Sequence, residues 1–116
     1  TIETPSPAAP PQTPADISLF EETERFVFRT QAGMTLYRCD LDTDNQSRCT
    51  GECSLTWPPV LASPDATPAV GEWRTIKRGD DWQWSFRGHP VYTYVHDEPG
   101  TSKGDGVDGV WHALWL

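Results

Sequence analysis

The sequence contains no long apolar segment, which limits how the chain can relate to a membrane. Only 36% of its 116 residues are apolar, and no apolar run approaches the roughly 20 residues that a helix needs to cross a bilayer. The start of the chain also lacks the charged-then-apolar pattern of a signal peptide. We therefore expect no transmembrane segment, and the membrane anchor that we consider is a lipidated cysteine upstream of Thr1.

Basic residues are scarce. The nine Lys and Arg are outnumbered by 17 Asp and Glu, so the net charge is −8 and the isoelectric point is about 4.6. A surface of this charge repels phosphate backbones and anionic lipid headgroups. The composition argues against nucleic acid as a partner and against direct adsorption to a membrane, and it leaves basic proteins and cations as ligands.

The sequence is also poor in catalytic motifs. The glycine-rich stretch Gly104-Asp105-Gly106 lacks the following helix that a nucleotide-binding loop needs, and no pair of carboxylates is predicted to face across two strands. A nucleophilic cysteine needs an environment that lowers its pKa, which a position in the core does not provide. We predict a non-enzymatic protein, with no cofactor expected.

Cysteine is limited to three residues within a short segment, Cys39, Cys49 and Cys53. A zinc cage would require a second pair, and covalent haem attachment would require a C-x-x-C-H motif. One disulfide and one free thiol are therefore expected. Because a disulfide persists in an oxidising compartment, the chain is predicted to be periplasmic or extracellular.

The aromatic residues compensate for the low apolar content. Six Trp, four Phe and three Tyr supply large buried areas, enough for one core in a domain of about a hundred residues. Residues 1–16 hold five of the eleven prolines and are predicted to be an extended linker, which is either a tether for the domain or a frayed terminus. We expect a single β-rich domain over residues 17–116.

The domain contains an internal repeat, over about residues 25–61 and again over about residues 82–116. The separation from glycine to tyrosine is four residues in both copies, from tyrosine to aspartate five in both, and from tyrosine to tryptophan 20 and then 19. The matched residues are Gly33, Tyr37, Asp42 and Trp57 in the first copy and Gly88, Tyr92, Asp97 and Trp111 in the second. Such spacing predicts two pseudo-symmetric halves packed into one domain.

Within the repeats the polar and apolar residues alternate, which is typical of β-strands. The predicted strands are Arg25–Arg29, Trp82–Phe86 and Val91–Val95, with Trp73–Arg78 as a linking strand between the copies. A short helical turn is predicted near Cys53–Trp57, because Pro58-Pro59 stops its continuation. The fold class is mainly β, with antiparallel repeats and turns at the glycines.

These motifs resemble a bacterial family of predicted lipoproteins and secreted repeats that carry a Y-x-[FWY]-x-x-D sequence. Tyr92-Thr93-Tyr94-Val95-His96-Asp97 matches this motif in full. Further matches are Cys49-Thr50-Gly51-Glu52-Cys53, Trp57-Pro58-Pro59, Gly88-His89-Pro90-Val91-Tyr92 and the ending through Trp111-His112. The resemblance covers roughly residues 25–116 and implies an exported, lipoprotein-like repeat without an assigned function.

The first repeat departs from this family motif, because Cys39 stands where the motif has an aromatic residue. We expect Cys39 to be a small buried residue that faces the core. The resemblance then implies a disulfide between Cys49 and Cys53, while a bridge between Cys39 and Cys49 is the competing pairing.

Two patterns raise the question of a metal site. Asp40, Asp42 and Asp44 alternate as in a calcium-binding loop, but Asn45 and Gly51 stand where that loop has its glycine and its bidentate glutamate. We therefore favour a solvated acidic turn over a calcium site. The equivalent acidic turn of the second copy contains Asp97 and needs no metal.

The second pattern concerns copper or haem iron. Alignment of the copies places Met34 opposite His89, and a thioether with an imidazole suits either metal, with Cys39 or His112 as further ligands. Exposed methionine and histidine at turn edges are ordinary, so this set forms the alternative hypothesis of a periplasmic metal-handling protein.

The favoured hypothesis is an exported accessory module that docks on a protein of the cell envelope or outside the cell. Its contacts are expected at exposed loops and aromatic edges. The tryptophans could also form a stacking surface, but the alternation in Trp82, Trp84 and Phe86 places these three on one strand face, which is predicted to be core.

Overall fold

The computed structural model describes residues 13–22 and 25–115. Most of the predicted linker therefore lies outside the described residues. Of its last residues, Pro14 is buried and Asp16 accepts hydrogen bonds from the Ser63 N–H at 3.0 Å and the Trp84 Nε1–H at 3.2 Å. The end of the predicted linker is thus packed against the domain.

The described residues form a mainly β domain, as predicted. The strands are β1 (Ile17–Glu22), β2 (Arg25–Thr30), β3 (Tyr37–Cys39), β4 (Ala69–Val70), β5 (Trp73–Arg78), β6 (Asp81–Phe86), β7 (His89–Pro90) and β8 (Trp111–Ala113). The helix α1 (Glu52–Thr56) confirms the predicted helical turn, and a 3₁₀ turn spans Val107–Gly109. All strand pairs are antiparallel, in sheets ordered β1-β2, β3-β8 and β4-β5-β6-β7.

The two halves of the chain have the same architecture. The β1–β2 hairpin pairs Ile17 with Thr30, and the β5–β6 hairpin pairs Trp73 with Phe86 in the same register. Each hairpin is followed by a turn at a glycine, Gly33 at φ +88° and Gly88 at φ +83°, a conformation that glycine adopts without strain. Strand β5, predicted as a link between the copies, is therefore the counterpart of β1 and belongs to the second half.

The end of each half pairs with the other half. Leu114, near the end of the second half, donates its N–H to Leu36 O at 2.8 Å and accepts from Phe28 N–H at 3.2 Å. The matching bonds in the opposite direction run from Val60 N–H to Val91 O at 3.1 Å and from Trp84 N–H to Val60 O at 2.9 Å. The halves therefore exchange their last segments and are intertwined.

Two clusters of buried residues form the interior, and both contain matched residues from the two halves. The first is built from aliphatic and aromatic side chains: Ile17, Phe28, Leu36, Val60, Trp73, Trp84, Phe86, Val91 and Leu114. The second is dominated by the repeat motifs: Tyr37, Cys39, Cys49, Trp57, Tyr92, Trp111 and Ala113. Because both clusters mix equivalent positions, the pseudo-twofold axis passes through the core.

One predicted strand is wrong. Residues 91–95 form no continuous strand, although Tyr92 makes isolated bridges to Tyr37 and to Pro59. The reason lies in the neighbouring prolines: Thr93 N–H donates to Pro58 O at 2.9 Å, but Pro58 and Pro59 have no N–H to donate in return. The pairing therefore cannot extend into a regular ladder.

The exchange of segments predicts that neither half folds alone. A cut within the exposed stretch 63–65 would leave each fragment without the segment that completes its sheet. We expect residues 1–64 and 65–116 to be unfolded separately and to recover native circular dichroism when mixed in equal amounts. A second-half fragment that unfolds cooperatively by itself would contradict the exchanged pairing.

Candidate functional site

The repeat motif forms two reciprocal tyrosine–aspartate pairs at the pseudo-twofold axis. The Tyr37 hydroxyl donates to Asp97 Oδ2 at 2.5 Å, and the Tyr92 hydroxyl donates to Asp42 Oδ2 at 2.6 Å. Each tyrosine thus binds the aspartate of the other half. Between them the two tyrosine backbones form a pair, with N···O distances of 2.8 and 2.9 Å.

The second oxygen of each motif aspartate closes the loop that follows it. Asp97 Oδ1 accepts the Lys103 N–H at 2.8 Å, and Asp42 Oδ1 accepts the Arg48 N–H at 2.7 Å. One carboxylate therefore orders its own loop and anchors the opposite half.

Burial makes these tyrosines hard to ionise. Tyr37 and Tyr92 have no exposed surface, and burial, followed by the hydrogen bond to the neighbouring carboxylate, raises the pKa of both phenols far above the ordinary value of about 10. The neutral phenol is the form that can donate to a carboxylate. The pair is therefore a structural donor–acceptor contact and not a source of protons near neutral pH.

A stack of aromatic rings lies beside the tyrosine pairs. The matched tryptophans Trp57 and Trp111 are parallel, with ring centroids 3.8 Å apart and an angle of 3° between their planes. Tyr94 stacks on Trp57 at 4.2 Å and 21°. Gly104 makes room for this stack, because an added Cβ would lie 2.7 Å from Trp57 Cη2.

The cysteines are arranged as the family resemblance implied. Cys49 and Cys53 form a disulfide, so the competing bridge between Cys39 and Cys49 is not formed. Cys39 is a free thiol with 4% of its surface exposed, and burial raises its pKa. It is therefore a poor nucleophile and fills a core position, as predicted.

The three carboxylates considered for calcium contact different groups. Asp40 contacts Arg38 Nη1 and His112 Nε2, each at 2.8 Å, and the hydrogen bond from His112 is the main cause that lowers the pKa of this carboxyl. Asp42 binds Tyr92 as described above, and Asp44 is exposed beside Gly88. The calcium site stays a prediction.

Two of the other candidate ligands, Cys39 and His112, lie on the paired strands β3 and β8. Met34 is half-buried next to Thr30, and His89 is exposed at the pairing of β7 with Phe86. Within residues 13–22 and 25–115, no three His, Cys, Asp or Glu side chains form a group that could hold a metal ion. The copper or haem hypothesis for Met34, His89, His112 and Cys39 stays a prediction.

The sequence-based predictions passed over one motif, Gly100-Thr101-Ser102-Lys103-Gly104, which has the G-x-S-x-G spacing of a hydrolase nucleophile. In the structure Ser102 lies in a loop and not between a strand and a helix. Its hydroxyl is 3.2 Å from Thr35 Oγ1. Among the described residues no histidine hydrogen-bonds the Ser102 hydroxyl, so the serine is not paired there with the base that activates such a nucleophile.

The largest departure from the predicted core is Trp82. Its side chain is 48% exposed, whereas Trp84 and Phe86 on the same strand face are buried. Trp82 is the second residue of β6, next to the β5–β6 turn. Its carbonyl accepts the Ala62 N–H at 2.8 Å, and Lys77 Nζ lies 5.2 Å from its ring centroid. The strand tip thus carries its indole beyond the core.

A groove of about 490 Å³ lies along Trp82 and is our candidate binding site. Its lining includes Thr75 of β5, Trp82 of β6 and two exposed carboxylates, Asp80 in the turn and Asp81 at the start of β6. The remaining lining comes from a proline-containing loop, with Ala62, Ser63, Pro64, Ala66 and Pro68. The groove combines apolar surface with negative charge at the turn.

A family model described as a secreted repeat of unknown function matches residues 27–61 and 74–114, more than half of the chain. No curated protein and no solved structure shows significant similarity to the chain. Among the described residues, no helix has the length and apolarity needed to cross a membrane.

The reciprocal pairs predict a specific pattern of energetic coupling. Tyr37→Phe should lower the free energy of unfolding by about 1–3 kcal/mol, because it leaves Asp97 Oδ2 without its donor and the Gly104 N–H without its acceptor. In double-mutant cycles measured by urea unfolding, Tyr37→Phe should couple to Asp97→Asn by about 1 kcal/mol or more and be nearly additive with Asp42→Asn. Stronger coupling within one half than between halves would contradict the pairing.

The raised tyrosine pKa values predict a loss of stability at alkaline pH. Above about pH 10 the unfolded chain releases the two phenolic protons while the folded chain retains them, so folding stability is full below pH 10 and falls as the pH rises further. Urea unfolding at increasing pH should show this decline, and Tyr37→Phe with Tyr92→Phe should flatten it. Tyrosinate absorbance measures the ionisation of the phenols in the folded protein. Ionisation of both Tyr37 and Tyr92 near pH 10 would show that burial does not raise their pKa values and would contradict this prediction.

Proposed function

The chain belongs to the family of secreted repeats of unknown function, and from this premise we propose that it is an exported, non-enzymatic binding module that docks on a protein of the cell envelope or the extracellular space. The observation that carries the proposal is the groove at Trp82. Tryptophan has the largest side chain, and a small domain with an aromatic core is expected to bury it. The Trp82 side chain is instead 48% exposed. Tryptophan is also among the residues that most often dominate the binding energy of protein interfaces.

The groove supports a partner of particular chemistry. Its apolar walls suit an aliphatic or aromatic side chain, and the carboxylates of Asp80 and Asp81 suit a lysine or arginine beside it. The net charge of −8 favours the approach of the same basic partner over a longer range. We therefore propose that an exposed segment of the partner, with apolar and basic residues side by side, occupies the groove.

The fold supports a docking role for this surface. The groove lies at the tip of the β5–β6 hairpin, whose strands pair over their full lengths from Trp73–Phe86 to Arg78–Asp81. A rigid hairpin presents the indole at little conformational cost, which strengthens binding. The tether predicted over residues 1–16 would hold the module near an envelope partner.

The proposal is tested by quantitative capture from an envelope fraction with the tagged full chain. Phe26→Ala is a matched control, because Phe26 is 42% exposed on another hairpin. Proteins captured by the wild type should be retained by Phe26→Ala and lost with Trp82→Ala. For the purified partner, Trp82→Ala should weaken the Kd about 30-fold, which corresponds to about 2 kcal/mol.

Charge provides an independent test of the same surface. Asp80→Asn with Asp81→Asn should slow association and reduce the salt dependence of binding, as expected for charges at an interface rim. Capture that is unaffected by both the Trp82 and the aspartate variants would exclude the groove as the docking site.

A further inference from the structure

The aromatic stack is capped on one side only. Tyr94 covers the outer face of Trp57, and the inner face of Trp57 lies on Trp111. Tyr92 meets Trp111 edge-on at 86°. Among the residues that the structure describes, no ring stacks on the outer face of Trp111.

The missing ring coincides with the departure of the first repeat from the motif. Tyr94 and Cys39 are equivalent positions, each two residues after a motif tyrosine, and Trp57 and Trp111 are the tryptophans beside them. Where the second half has a phenol ring, the first half has a thiol. The cysteine side chain therefore leaves most of the volume of a phenol ring unoccupied by its own atoms.

A cavity of about 320 Å³ lies at this position. Its lining includes Cys39, Leu41, Cys49, Cys53, Val110 and Trp111. Leu41, one of the lining residues, is 63% exposed. The apolar part of this lining is rich in sulfur, and sulfur packs favourably against aromatic rings.

The second half shows what this space accommodates. The position equivalent to Leu41 is His96, and the Tyr94 ring contacts the His96 ring at 5.1 Å while it stacks on Trp57. The phenol of Tyr94 therefore occupies the same space relative to Trp57 that the cavity occupies relative to Trp111. The second half therefore shows how an aromatic ring fits at the position that is equivalent to the cavity.

We propose that the cavity beside Cys39 binds one planar aromatic ring, which stacks on Trp111 and completes a four-ring stack. A phenol-type ring fits best, because the equivalent position in the second half holds a tyrosine. Three charged residues also line the cavity, namely Asp42, Arg48 and Asp108. Arg48 and Asp108 are exposed, so these two offer partners to a polar ring substituent. The site is separate from the groove at Trp82 and does not rest on the docking proposal.

The test uses p-cresol and the tripeptide Gly-Tyr-Gly as probes of a free ring and of a ring carried by a peptide. In two-dimensional NMR spectra of the oxidised full chain, p-cresol should shift the indole resonances of Trp111 and saturate at about one molecule per chain, with roughly millimolar affinity. Binding of p-cresol alone would identify a free aromatic ligand. Binding of both probes would identify a ring on a polypeptide.

Two variants should change the number of p-cresol molecules bound per chain in opposite directions. Cys39→Tyr supplies the missing ring, so it should abolish the Trp111 shifts and leave the melting temperature unchanged or higher. Tyr94→Ala opens the equivalent space over Trp57, so it should add a second binding event reported by Trp57. The Tyr94 variant keeps the test decisive even where Cys39→Tyr folds poorly.

The proposal is overturned by the absence of any Trp111 shift with either probe. It is equally overturned when folded Cys39→Tyr binds p-cresol as the wild type does, or when Tyr94→Ala gains no second event. Each of these results would mean that the disulfide and the thiol already fill the space over Trp111.

Discussion

The structure depends on the exchange of hydrogen bonds between two tyrosines and two aspartates across the pseudo-twofold axis. Neither half can satisfy its own motif: Tyr37 needs Asp97, and Tyr92 needs Asp42. Because the hydroxyls and carboxylates lie in or at the edge of the core, an unmet partner would cost the desolvation of a polar or charged group. Two further contacts also join the halves in this way. Val60 and Leu114 each pair with strands of the opposite half, and Trp57 of the first half stacks on Trp111 of the second.

The repeat could be predicted from the sequence because the symmetry imposes equal spacing on both copies. Strands β2, β5 and β6, the glycine turns, the helical turn and the aromatic core followed from local patterns. The exchange could not be predicted, since a tyrosine five residues before an aspartate has the same spacing whether it binds its own half or the other. The strand over residues 91–95 was wrong because pairing depends on Pro58 and Pro59, which are distant in sequence.

The candidate sites were harder to predict than the fold. Alternation along β6 placed Trp82 in the core, but the core does not extend to the tip of the hairpin, where both turn aspartates and the indole are exposed. The departure at Cys39 was visible in the sequence, whereas the cavity beside it depends on the position of Trp111 in the other half. The cavity lies where the two halves differ, at Cys39 and Tyr94, whereas Trp82 has an exposed aromatic counterpart in Phe26. The shared motif residues build the scaffold, and the departure at Cys39 leaves the space for the proposed ligand.

The contact between the two halves is tested most directly by nuclear Overhauser effects between the ring protons of Trp57 and Trp111 in the oxidised full chain. The exchanged architecture predicts strong ring-to-ring effects, since the centroids are 3.8 Å apart. It also predicts effects from Tyr94 to Trp57 and none from Tyr94 to the outer face of Trp111. An absence of contacts between the two indoles in a folded sample would contradict the account of two halves that complete each other.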